Sequence, residues 1–134
     1  MTIDRRSLLA GGALLPLVGL GTRLARAAEQ AAPEKPDYTL RIATGLAELA
    51  PKHVISTTLY NGQFPGPLLR MKEGQAVVVD VHNDTDVPEQ VHWHGQAIPA
   101  EVDGAAEEGT PFIPPHGMRR LAFVPGPSGL RVYQ

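Results

Sequence analysis

The sequence predicts an all-β fold, an antiparallel sandwich or small barrel. Three observations carry that expectation. Apolar and polar residues alternate in several short runs, as where Val77, Val79 and Val81 interleave with Ala76, Val78, Asp80 and His82. Turn chemistry separates these runs at short intervals, most densely in Asn61-Gly62-Gln63-Phe64-Pro65-Gly66-Pro67. No long window shows the 3.6-residue period of an amphipathic helix. A mixed α+β fold would place a helix over residues 45–51, a window too short to carry much weight.

Each element follows from its composition. Tyr38 to Ala43 alternates and reads as a half-buried strand. Val54 to Tyr60 is rich in β-branched and aromatic residues and reads as a second. The Pro and Gly residues of 61–67 end it, because Pro lacks a ladder N–H and Gly supplies positive φ. Leu68 to Met71 is a candidate short strand, and Gln75 to His82 is the clearest of all. Asn83-Asp84-Thr85-Asp86 closes that strand, and Gln90 to His94 forms the next. Residues 99–117 read as a long loop carrying Glu101, Asp103, Glu107 and Glu108. Met118 to Val124 and Leu130 to Tyr133 are the last strands, separated by the turn Pro125-Gly126-Pro127-Ser128-Gly129.

The first 27 residues stand outside this pattern. Arg5-Arg6 precedes an apolar run from Leu8 to Leu20, and Leu24-Ala25-Arg26-Ala27-Ala28 offers a small-residue cleavage site. That run is shorter than the roughly 20 apolar residues a bilayer requires. The paired arginines read as a twin-arginine export signal, cleaved after Ala27. The expected location is therefore periplasmic or otherwise extracytoplasmic, with membrane contact only through the signal before cleavage. Residues 28–37 read as a flexible leader, and 38–134 as one domain.

Charge and cysteine content exclude some chemistry. Residues 1–27 hold Arg5, Arg6, Arg23 and Arg26 but only one acid, Asp4, so the remainder carries a net charge near −5. Nucleic-acid binding, which relies on clustered Lys and Arg, is not expected. With no cysteine in the chain, no thiolate-ligated metal centre can form within it.

The chain has five histidines. Two of them, His92 and His94, flank Trp93 in Gln90-Val91-His92-Trp93-His94-Gly95-Gln96. On a strand, residues two apart share a face and lie about 6.6 Å apart. Both imidazoles would then point one way and the indole the other. Such a pair chelates one metal awkwardly and holds two neighbouring metals comfortably, and neutral imidazole suits copper, zinc, nickel and iron alike. By itself the spacing also fits two ordinary polar residues on one strand. Any metal affinity resting on neutral imidazole is expected to fall as pH drops through about 6.5. His53 reads as solvent-facing, His82 as exposed or turn-capping, and His116 as a loop residue. The acidic loop reads as solvated.

The wider context resembles a known family. Tyr60-Asn61-Gly62-Gln63-Phe64-Pro65-Gly66-Pro67, Gly74, Asn83, Val91-His92-Trp93-His94-Gly95, Asp103-Gly104 and Pro114-Pro115 together are similar to the first plastocyanin-like domain of the multicopper oxidases. The likeness runs from Tyr38 to Gln134. It implies a Greek-key, cupredoxin-like β-sandwich or barrel. It also implies that His92 ligates a type 2 copper and His94 a type 3 copper of a trinuclear cluster. There the family's enzymes reduce dioxygen to water with electrons delivered through a separate type 1 copper. Further cupredoxin domains, in cis or in trans, are the implied partners. The family's second histidine pair would begin at Gln134, where an amide stands instead. On that reading the domain is cut short and incomplete as an oxidase by itself, with no catalytic residue of its own. Two alternatives stay open: a stand-alone periplasmic copper-binding module, and a metal-free β-sandwich fragment.

Overall fold

A computed structural model describes residues 35–134. The expected export signal and most of the leader lie outside the described residues.

Two sheets share one core. The larger holds β1 (Tyr38–Ala50), β2 (His53–Tyr60), β3 (Val77–Asn83) and β5 (Met118–Phe123), in the order β2-β1-β3-β5. The smaller pairs β4 (Trp93–His94) with β6 (Val132–Tyr133). The all-β class stands. One ladder departs from the antiparallel expectation: β1 runs parallel to β3, with Leu40 opposite Val81. The chain between them, residues 51–76, crosses over through β2 and the proline-rich turn, which gives it the length a parallel connection needs.

The predicted alternation builds the core. Leu40, Ile42, Val79 and Val81 are almost wholly buried, and Leu121, Phe123, Val91, Trp93 and Ile113 close over them. Burying such side chains stabilises by roughly 1.5–3 kcal/mol each. Trp93 joins the two sheets, its ring 5.0 Å from Phe123 and 5.8 Å from Tyr133. Tyr60 meets Tyr133 edge-on at 5.0 Å. Burial, with Tyr133 and Glu89 adding to it, pushes the Tyr60 hydroxyl up to about 12.

Several boundaries differ from expectation. Residues 45–51 are not helical; β1 continues to Ala50 because Gly45, Leu46 and Ala47 pair with Thr57, Ser56 and Ile55 of β2. Leu68 to Met71 forms no strand. The Tyr38 hydroxyl donates to the Arg70 carbonyl within this segment, and the Tyr133 hydroxyl donates to the Pro67 carbonyl just before it at 2.7 Å. The loop 99–117 contains a short helix, α1 (Ala100–Asp103), and one 3-10 turn at Ala106–Glu108. β4 and β6 are two residues each, though a reciprocal backbone pair between His92 and Gln134 (2.8 and 3.0 Å) lengthens their ladder.

The outer face of β3 is covered as well. Val78 and Asp80 are buried, because β3 lies between β1 and β5 and Arg120 folds over the carboxylate. Arg120 donates to Asp80 from Nε at 2.7 Å and Nη2 at 2.8 Å. This hydrogen-bonded guanidinium holds the Asp80 carboxyl below the usual carboxylate range. On the same sheet Asn83, fully buried, donates to the carbonyls of Val87, Ile113 and Pro114 and accepts from Thr85. It fastens the chain on either side of the β4 region to the end of β3.

One glycine controls how α1 seats. Gly104 follows α1 with φ +80. A Cβ placed there would lie 1.9 Å from the Val91 carbonyl oxygen and 2.6 Å from the His92 Cα.

Two outcomes follow from these contacts. Gly104→Ala combines a left-handed backbone cost of about 1–2 kcal/mol with an overpacking cost of about 1–3 kcal/mol. Denaturant unfolding of the full chain should show a loss of at least about 2 kcal/mol. Asp80→Asn should lower the melting temperature at pH 7. Because the native Asp80 pKa is depressed, its contribution is complete above the unfolded value of about 3.9 and fades as pH falls toward the native value. The difference in melting temperature between the two proteins should therefore shrink below about pH 4.

Candidate metal centre

β4 sorts its side chains by the pleat. Val91 and Trp93 enter the core, while His92 and His94 leave on the opposite face. Their rings lie side by side, centroids 5.5 Å apart and planes at 84°. The two imidazoles are therefore neither splayed to opposite sides nor plugged into the interior. Gly95 ends the strand with φ +78.

The rings differ in what holds them. His92 is half-buried, and its Nδ1 lies 3.0 Å from the Asp103 carbonyl oxygen and 3.4 Å from the Asp103 carboxylate. A carbonyl only accepts, so Nδ1 carries the proton and donates. The Nε2 lone pair is then left for a metal, the arrangement by which an oriented imidazole becomes a ligand. His94 is exposed, and its ring rests against His92.

The other sequence candidates are elsewhere. His53 is exposed at the start of β2. His82 is half-buried on β3 rather than exposed, since flanking strands crowd it. His116 sits in its loop, 2.9 Å from the Asp86 carboxylate. Glu101, Glu107 and Glu108 are solvent-exposed as expected, but Asp103 is turned inward against His92. Among the described residues, no three His, Cys, Asp or Glu side chains converge on one point.

Gln134 stands directly across from His92 in the backbone pair. Opposed residues in an antiparallel ladder project to the same face. An amide side chain therefore leaves the sheet beside the imidazole. Tyr133, one residue earlier, projects inward onto Trp93.

A cavity of about 740 Å³ opens on the other side of Trp93. It runs between Pro65–Met71 and Pro125–Tyr133 and does not include His92 or His94. Its lining is mainly apolar and offers no chemistry to the histidine face.

Sequence reasoning missed Thr110. This residue is 5% exposed. Its hydroxyl accepts from the Gly104 N–H at 3.1 Å and donates to the Ala100 carbonyl, so it braces the loop that reaches His92. The available signal was Asp103-Gly104 itself, a helix-stopping pair that implies a short helix before it.

Comparison with known proteins agrees with this architecture. A family model described as multicopper oxidase matches residues 42–129. The chain is 43% identical over 63 residues to the copper resistance protein A homolog of Pseudomonas syringae pv. tomato, covering 47% of this chain and 11% of that protein. It is 41% identical over 75 residues to the multicopper oxidase MmcO of Mycobacterium tuberculosis, covering 55% of this chain and 15% of that one. The crystal structure of a multi-copper oxidase from Pseudomonas thermotolerans aligns with a TM-score of 0.59 at 34% identity, over 65% of this chain and 21% of that chain. This chain thus spans a small part of the length of the relatives it matches. With more than half of its residues inside the family model, the chain belongs to the multicopper oxidase family.

Proposed function

We propose that this chain provides two imidazole donors, His92 and His94, to a copper cluster shared with further cupredoxin domains, in cis or in trans. His92 is assigned to a type 2 ion and His94 to a type 3 ion. One observation carries the reading: two imidazoles lie 5.5 Å apart on the outward face of β4, and His92 is held with its Nε2 free.

The donor set fits copper. Imidazole is a good ligand for copper(II), and a ring oriented by a second hydrogen bond is a better one. When bound, copper supplies one-electron redox chemistry, the basis of dioxygen reduction to water in the family. This chain's residues do the holding. The Asp103 carbonyl fixes the His92 ring and its proton. The apolar contacts of Trp93 lock the strand from behind, so neither imidazole can rotate into the core. Two donors leave a site open, and stable sites use three or four. Among the described residues no group of three His, Cys, Asp or Glu side chains completes a site, and the Gln134 amide is a weaker copper donor than imidazole, which favours a shared cluster over a stand-alone copper module. Function at such a cluster is consistent with the export signal read from residues 1–27, which would place the protein outside the cytoplasm.

Titration of the full chain with copper(II), followed by calorimetry and electron paramagnetic resonance, tests the reading. Saturable binding with nitrogen hyperfine structure is expected, weakened about tenfold or more by His92→Ala and by His94→Ala. Binding unchanged in both variants, or no binding at all by the folded chain, would favour the metal-free sandwich.

A further inference from the structure

We propose that Thr110 is the positioning residue that sets the tautomer of His92, acting through the Asp103–Gly104 peptide. The inference deepens the copper reading above and rests on it for its functional meaning, though its central observable is metal-free.

The Asp103 carbonyl and the Gly104 N–H belong to one planar unit and point in opposite directions. The Thr110 hydroxyl holds the Gly104 N–H at 3.1 Å. The carbonyl at the other end of that unit is then aimed at His92, whose Nδ1 lies 3.0 Å away. Holding one end of the plane aims the other.

The hydroxyl is itself fixed. It has one proton, which goes to the Ala100 carbonyl at the start of α1, so its lone pairs must face Gly104. Thr110 is buried, and its own N–H is bonded to the Ala105 carbonyl at 3.3 Å. Bulk water therefore does not compete for these groups. The brace is needed because the peptide precedes a glycine. With φ +80 and no Cβ, Gly104 tolerates rotation of that plane better than any other residue would.

A rotated peptide would present an N–H to His92 instead of a carbonyl. Nδ1 would then become the acceptor and Nε2 would carry the proton, which removes the outward lone pair. The Asp103 carboxylate, 3.4 Å from Nδ1, is the competing influence on the proton. It lies beyond ordinary hydrogen-bond distance.

Nitrogen-15 NMR of the imidazoles in the metal-free full chain reads this directly. His92 should be a single Nδ1–H tautomer in the wild type. Thr110→Val keeps the shape and removes the hydroxyl; it should give mixed His92 tautomers and a copper(II) affinity reduced about tenfold. Thr110→Ser should restore both. Asp103→Asn, which keeps the backbone carbonyl, should leave the tautomer unchanged. A folded Thr110→Val protein with the wild-type tautomer overturns the proposal, as does loss of that tautomer in Asp103→Asn alone. The wild type gives a test that needs no variant: the Gly104 amide should exchange with solvent at least about tenfold more slowly than the exposed Glu107 and Glu108 amides. Equal rates also overturn it. Should the tautomers behave as stated while copper fails to bind the wild type, the shared-cluster reading falls and the positioning role stands.

Discussion

The close approach of Gly104 to the backbone of Val91 and His92 is the constraint on which the site depends. Atoms at that separation leave no room for a side chain. The end of α1 therefore meets the histidine strand backbone to backbone. Only in that seating does the Asp103 carbonyl reach the imidazole, and only then does Thr110 find the Gly104 amide. A residue without a side chain thus organises three that have one.

From the opposite side, β4 is held by hydrophobic packing. Val91 and Trp93 are committed to the core, and Trp93 touches both Phe123 and Tyr133. A register slip of one residue would bury the imidazoles and expose the indole, a change that the core strongly disfavours. The outward direction of His92 and His94 is consequently set by the side chains that point the other way. The short ladder with β6 adds a second anchor at the His92–Gln134 backbone pair.

Much of this fold was legible in the sequence because its period is local. Leu40, Ile42, Val79 and Val81 announce themselves by alternation and become the centre of the core. The two imidazoles share a face for the same reason. Other features were not legible, each for a physical cause. The parallel pairing of β1 with β3 depends on contacts between residues some forty positions apart, which no local pattern encodes. The burial of Asp80 follows from Arg120 on a neighbouring strand. The residues 68–71 have a strand's composition, yet tyrosine hydroxyls on distant elements bond the Arg70 carbonyl within the segment and the Pro67 carbonyl just before it.

What the sequence determined by itself was the class of fold, the family likeness, and the pairing of His92 with His94 on one face, since each rests on chain-local alternation and short-range spacing. Tertiary structure alone decided which nitrogen of His92 is free. That choice is made by a carbonyl eleven residues away, held in place by a glycine's close contact and a threonine's hydroxyl. A hydrogen bond of that kind depends on orientation in space, and orientation exists only once the loop has folded onto the strand.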